Sequence, residues 1–254
     1  MAGIRQRLVE RYRLTGADVP FGDPLPSHRT EMEGWFWRVT EPSTGRAIVA
    51  LCSVNRHPAG DWSTTAVALH PGGIVRAGAL DGAVATDSPF TVSAGSGASA
   101  FTAGTDRVDF RLDDLHLRME FSDPFPWPKA FAGGGIFSSI PYLNQYWHPY
   151  RLGGRASGSV EFAGDRWDFT DATLYAERNW GAGFPLRWWW GQAHDFDGAD
   201  VSVAFSGGLL ELGPLRRDVA GVVVRLGRKV IRLTPPMPVR SVIGDNYWSI
   251  RARS

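Results

Sequence analysis

The 254-residue chain is long enough to bury a substantial core, as one large β domain or as two smaller halves. Its 27 Lys and Arg nearly cancel its 26 Asp and Glu, which leaves no basic footprint for nucleic acid. Cys52, the only cysteine, excludes an intramolecular disulfide and a multi-cysteine metal site, and fits a reducing compartment.

In chain order, Gly3 to Leu14 places Ile4, Leu8 and Tyr12 four residues apart among arginines, the pattern of a short amphipathic helix. Such a helix can lie on anionic lipid, but at this length a docked or frayed arm is expected. Pro20, Pro24 and Pro26 then make an extended lead-in. From Glu31 to Val39 the chain alternates, with Glu31, Glu33, Trp35 and Trp37 on one strand face. Glu33 beside two indoles reads as a rim residue or as a buried acid with a raised pKa. Arg46 to Val54 suits a strand covered on both faces. Asp61 to Leu69 and Ile74 to Leu80 follow as strands around a Pro71-Gly72-Gly73 turn. Thr91 to Thr105, rich in Gly, Ala and Ser, reads as a loop or weak edge strand. Arg107 to Phe121 is a clear hairpin turning at Asp113-Asp114.

A proline- and aromatic-rich crossover, residues 124–149, divides the chain. The expected layout is an arm (1–30), a first β-barrel half (31–123), the crossover, and a second half (150–254). In the second half, Ser157 to Phe162 pairs with Arg166 to Thr170 across Gly164-Asp165. Further strands are expected at Val201 to Phe205, Leu209 to Leu212, Gly221 to Leu226, Lys229 to Leu233 and Tyr247 to Ala252. Many short strands with frequent turns and very little helix argue an all-β barrel or sandwich.

Tyr175 to Phe196, YAERNWGAGFPLRWWWGQAHDF, concentrates the unusual residues around a turn at Gly181 to Arg187. Period 2 puts Tyr175, Glu177 and Asn179 on one face of the first flank. It puts Trp188, Trp190, Gln192, His194 and Phe196 on one face of the second. A mostly aromatic cavity with a few convergent polar groups fits this pattern, and so does a tryptophan-rich core with satisfied polar edges. No G-x-S-x-G elbow, phosphate-binding glycine loop or H-E-x-x-H occurs. His194-Asp195 lacks a second histidine at ligand spacing, and His28 and His148 read as ordinary polar residues, so no metal and no cofactor are expected.

The block YAERNWGAGFPLRWWWGQ resembles the signature of the tocopherol cyclase family. There a Glu-(Lys/Arg)-Asn-Trp-Gly stretch runs through Gly-Phe-Pro into a Trp-rich strand ending in Gln. EGWFWRVTEP, the hairpin in RASGSVEFAGDRWDFTDATLYAERNWG and the terminal NYWSIRARS are similar to further family motifs. The resemblance implies a calycin-type, lipocalin-like pair of β-barrel halves. It also implies cyclisation of a prenylated hydroquinone to a chromanol, with a hydratase, another isoprenoid cyclase or a non-catalytic carrier as alternatives.

On this resemblance Glu177 is the expected acid, oriented with the hydroxyl by Tyr175 and Asn179, while Trp188 and Trp190 flank the developing cation. Glu33, Trp35, Trp37, Trp180, Gln192 and His194 complete the expected substrate face, with Glu33 and Asp195 as reserve acids. Keeping Glu177 protonated at neutral pH requires raising its pKa by nearly three units, about 4 kcal/mol, which an apolar barrel supplies by desolvation. No apolar run approaches the roughly 20 residues that span a bilayer, and the N-terminus lacks the apolar core of a secretory signal. A soluble, cytoplasmic chain is expected, with peripheral membrane contact left open and a prenylated quinol or similar isoprenoid as its ligand.

Overall fold

The computed structural model describes residues 2–14, 30–87, 89–125, 127–128, 131–140, 143–196, 199–235, 237, 239–244 and 247–252. The proline lead-in and His28 lie outside them. The architecture is all-β, two lipocalin-like half-barrels, with one α-helix among the described residues, α1 (Ala2–Leu14), lying against a short 3-10 helix (Gly135–Ser139).

The first half-barrel begins with four meandering antiparallel strands: β1 (Met32–Glu41), β2 (Arg46–Asn55), β3 (Trp62–His70) and β4 (Ile74–Asp81). A second meander runs through β5 (Val84–Asp87), β6 (Phe90–Ser96), β7 (Ser99–Gly104), β8 (Arg107–Leu112) and β9 (Leu115–Ser122). After the crossover come β10 (Gln145–Arg151), β11 (Arg155–Phe162) and β12 (Asp165–Gly181). Two of these join the meanders: β11 pairs with β9, and β12 bridges β11 and β1. The expected boundary at 123/150 is thus crossed by strand pairing within one sheet. That sheet curls, because Trp35 on β1 meets Phe90 on β6 (5.7 Å) and Trp37 meets Phe110 on β8 (6.3 Å), although several strands separate them along the ladder.

Alternation explains the filling. Trp35, Trp37 and Val39 of β1 point into the curl with Ile48, Ala50 and Cys52 of β2, Phe110 and Leu112 of β8, and Leu117 of β9. Fully burying side chains of this size stabilises by about 1.5–3 kcal/mol each. The segment expected as a loop or weak edge strand, Thr91 to Thr105, is strand rather than loop: it falls in the paired β6 and β7, whose inward Val92, Ala94, Phe101 and Ala103 belong to this core.

The second sheet is β13 (Trp188–Phe196), β14 (Ala199–Leu212), β15 (Leu215–Leu226) and β16 (Lys229–Leu233) in sequence order. Val201–Phe205 and Leu209–Leu212, expected as separate strands, form one continuous strand, β14. A hairpin of β17 (Val239–Ile243) and β18 (Trp248–Ala252) closes the chain and rests Trp248 against Phe205 (5.7 Å).

The long strand β12 positions the site. Its early half is phased with Phe169 in the first core, whereas later Ala172, Leu174 and Ala176 face that core. The phase changes because β12 carries one extra residue where Ala156 opposes Ala172 but Gly158 opposes Phe169. Asp171 there adopts φ 55°, and its amide donates to the Ser157 hydroxyl (3.1 Å). This bulge turns Tyr175, Glu177 and Asn179 out of the first core and toward the second sheet.

Candidate functional site

Glu177 lies between the two sheets, 4% exposed. Three donors converge on its Oε2: the Tyr175 hydroxyl (2.6 Å), the Trp147 indole N–H (2.8 Å) and the Trp190 indole N–H (2.8 Å). The Asn179 amide donates to Oε1 (2.9 Å). These donors come from three strands, β10, β12 and β13. Tyr175 and Asn179 flank Glu177 at i±2 on one strand face, and Trp147 is brought alongside by its cross-strand pairing with Asn179. Phe36, opposite Glu177 on β1, packs edge-on against Trp190 (5.0 Å) and near Tyr175 (6.4 Å).

Burial raises the Glu177 pKa above the ordinary carboxylate range, and the hydrogen bonds from Trp147, Tyr175, Trp190 and Asn179 pull it back in part. Desolvation, followed by the neighbouring carboxyl, holds the Tyr175 phenol well above its usual value. The phenol therefore stays a neutral donor. Because Oε2 already accepts three hydrogen bonds, Oε1 is the oxygen with room for a proton.

The remaining expected site residues divide clearly. Gln192 and His194 stand on the Trp190 face: the Arg38 guanidinium donates to the Gln192 carbonyl (2.7 Å) and Oε1 (2.8 Å), and Gln192 contacts His194 Nδ1 (3.2 Å). Trp188 shares that face but stands at its open end, 55% exposed against Phe184 (5.3 Å), and does not reach Glu177. Trp35 and Trp37 fill the first core on the far side of β1. Glu33 shares their face and is fully buried in an ion pair with Arg178. It is a buried acid rather than a rim residue, and it does not meet the Glu177 pocket. Trp180 also faces away, stacked on Tyr146 (5.4 Å) and beneath the Arg178 guanidinium (4.4 Å). The side chain of Asp195 lies outside the described residues.

Three partners escaped the sequence reading: Trp147, Phe36 and Arg38. Trp147 sits in the aromatic run NQYWHPY, and only long-range pairing tells it apart from its neighbours there.

Solved structures share this fold. The crystal structure of kievitone hydratase from Nectria haematococca superposes with TM-score 0.55 at 13% identity, over 92% of this chain and 78% of that one, which is a likeness of fold. A protein named probable tocopherol cyclase, chloroplastic, from Oryza sativa subsp. japonica is 38% identical over 87 residues, 34% of this chain. The tocopherol cyclase, chloroplastic, of Zea mays is 36% identical over 87 residues. In each case the match takes in 18% of the plant protein's length. A family model described as tocopherol cyclase-like matches residues 113–253, more than half of the chain, and the chain belongs to that family.

Proposed function

We propose that the protein closes a chromanol ring on a prenylated hydroquinone, with Glu177 as general acid. Protonated Glu177 delivers its proton to the trisubstituted prenyl alkene, leaving a tertiary carbocation. The phenol oxygen then forms the new C–O bond, and its proton passes to the Glu177 carboxylate. The overall change is an isomerisation that returns the acid to its starting state and consumes no co-reactant. Every residue invoked belongs to the chain.

The observation that carries this reading is the convergence of four donors on one carboxyl group shut between two sheets. A carrier of apolar ligands gains nothing from a buried carboxyl, whose desolvation is costly. An acid that must be neutral before proton transfer and anionic after it needs both desolvation and ready donors. Trp190 and Trp147 replace the expected Trp188–Trp190 pair as the indoles nearest the reacting group. A desolvated indole face favours a cation by about 2 kcal/mol, some 30-fold in rate for each ring so placed.

Glu177→Gln tests the assignment. The amide keeps the shape and accepts most of the same donors but has no acidic proton to give. Turnover of methylated prenyl hydroquinones should fall by at least 10²-fold, while tryptophan-fluorescence binding and thermal midpoint stay near wild type. Unchanged turnover would place the acid elsewhere. Glu33 is a poor substitute because it is tied to Arg178 on the opposite face.

A further inference from the structure

Beside the Glu177 site lies a second feature that the reaction as described does not use. A cavity of about 110 Å³ opens between the start of β10 and the face of the second sheet, bordered by Phe137, Leu143, Trp147, Ser206 and Val219. Backbone of Gly134, Gly207 and Gly208 forms much of the rest. The volume is well under the roughly 300–1,000 Å³ of pockets that enclose a whole drug-sized molecule. It is close to the ~150 Å³ of apolar cavities that take up benzene. One ring or one five-carbon branched unit fits; a full prenylated quinol does not.

Its position matters more than its size. Trp147 is at once a wall of the cavity and a donor to Glu177 Oε2. One indole therefore separates the cavity from the carboxyl. The second indole donor, Trp190, stands on the same sheet face as cavity-lining Ser206, its cross-strand partner, which in turn pairs with Gly221. Gly221 lets Thr234 close in on this wall: a Cβ added there would stand 2.8 Å from the Thr234 methyl, and at an ordinary 3.9 Å from the six-membered edge of Trp147. At the mouth, Asn144 ties three segments together. Its side-chain amide donates to the Leu209 carbonyl (3.1 Å), and its carbonyl accepts from Ala182 (3.0 Å) and Gly183 (3.3 Å).

We propose that this cavity is a subsite for a single aromatic ring or isoprenyl unit, and that Trp147 is the movable partition through which the bound group reaches Glu177. The subsite rests on the cyclase reading for its role, though not for its existence. With the cavity filled, the Trp147 indole leaves Oε2, and the apolar group takes its place beside the Glu177 carboxyl. A substrate larger than the cavity is then seated by one end, with its alkene brought to the acid and water excluded by the same indole.

Toluene and 2-methyl-2-butene serve as probes on the full chain. The expected result is saturable binding with nuclear Overhauser contacts from toluene to the Val219 methyl groups. Val219→Phe and Ser206→Leu each fill the cavity and should weaken toluene at least tenfold while circular dichroism stays unchanged. Should neither variant fold, the Overhauser contacts in the wild-type chain decide the location. The partition is read separately by infrared difference spectroscopy of the Glu177 carboxyl, assigned by its loss in Glu177→Gln. Bound toluene should shift that band, and Trp147→Phe should shift it without toluene. Binding that survives both filling variants, no binding to the wild type, or a carboxyl band that toluene leaves unmoved overturns the proposal. None of these readouts uses turnover, so their failure stays distinct from a failure of Glu177 as the acid.

Discussion

At Glu177, two opposed effects set the chemistry of one carboxyl group. Loss of water favours the neutral acid, and four donors favour the anion. The shortest of those hydrogen bonds comes from Tyr175 (2.6 Å). A hydrogen bond to a charged group contributes about 1.5–3 kcal/mol, so removing the hydroxyl should raise the Glu177 pKa further. Tyr175→Phe should therefore move the alkaline limb of the turnover–pH profile to higher pH; a limb that stays put or moves down would show that the hydroxyl does not act on the carboxylate. The cluster on β12 was legible because i±2 spacing within one strand is a local property. The partners on β1 and β10 were not, because pairing between residues 36 and 177 is set by the whole sheet. Trp35 and Trp37 shared a face as expected. The sequence could not say which barrel that face looked into, because both faces of β1 are covered.

The β12 bulge shows how an element decides which residues face the candidate site. Had alternation continued unbroken from Phe169, Tyr175 and Glu177 would point into the first core, and Ala176 and Arg178 would face the second sheet. Asp171 holds the offset at φ 55°, a conformation that costs most side chains about 1–2 kcal/mol and that Gly adopts freely. Its ion pair with Arg155 is long (3.5 Å) and exposed, and adds little. Asp171→Gly should accordingly leave the urea midpoint nearly unchanged, and Asp171→Val should lower stability by about 1–2 kcal/mol. Equal losses for both would mean that the aspartate side chain, not the backbone, secures the bulge. The sequence reading broke this stretch into separate strands and so passed over the bulge. It also underrated β6 and β7, whose Gly, Ala and Ser have weak intrinsic strand preference. Small residues suit a tight curl: at Gly95, φ 74°, an added Cβ would lie 2.3 Å from the Ser99 carbonyl oxygen.

Across the whole molecule, the two sheets meet around groups that titrate in opposite directions. His148 of β10 is 1% exposed, edge-on to Trp127 (5.0 Å) and near Tyr150 (6.3 Å). Burial, reinforced by the nearby charges of Arg178 and Arg232, lowers its pKa from 6.5 to about 3. Between those values the unfolded chain binds a proton that the folded chain refuses. Stability is therefore fully kept above about pH 6.5 and falls as the pH drops, by about 1.4 kcal/mol per unit in that window. Glu177 has the reverse sign: its raised pKa gives stability present at low pH and lost as pH rises through the folded value. The arginine-paired Asp61, Asp114, Asp168 and Asp200 have lowered pKa values, and their contributions are lost only below the ordinary carboxylate range. Glu177 contributes alike to wild type and to a His148 variant, so the difference between the two proteins in urea unfolding at pH 7 and pH 5 isolates the imidazole. His148→Phe keeps a ring against Trp127 and removes the titration, so relative to wild type it should gain about 2 kcal/mol on going from pH 7 to pH 5, whatever its offset at pH 7. Parallel pH dependences for the two proteins would mean that His148 takes up its proton in the folded chain, and that the joint between the sheets admits water and charge.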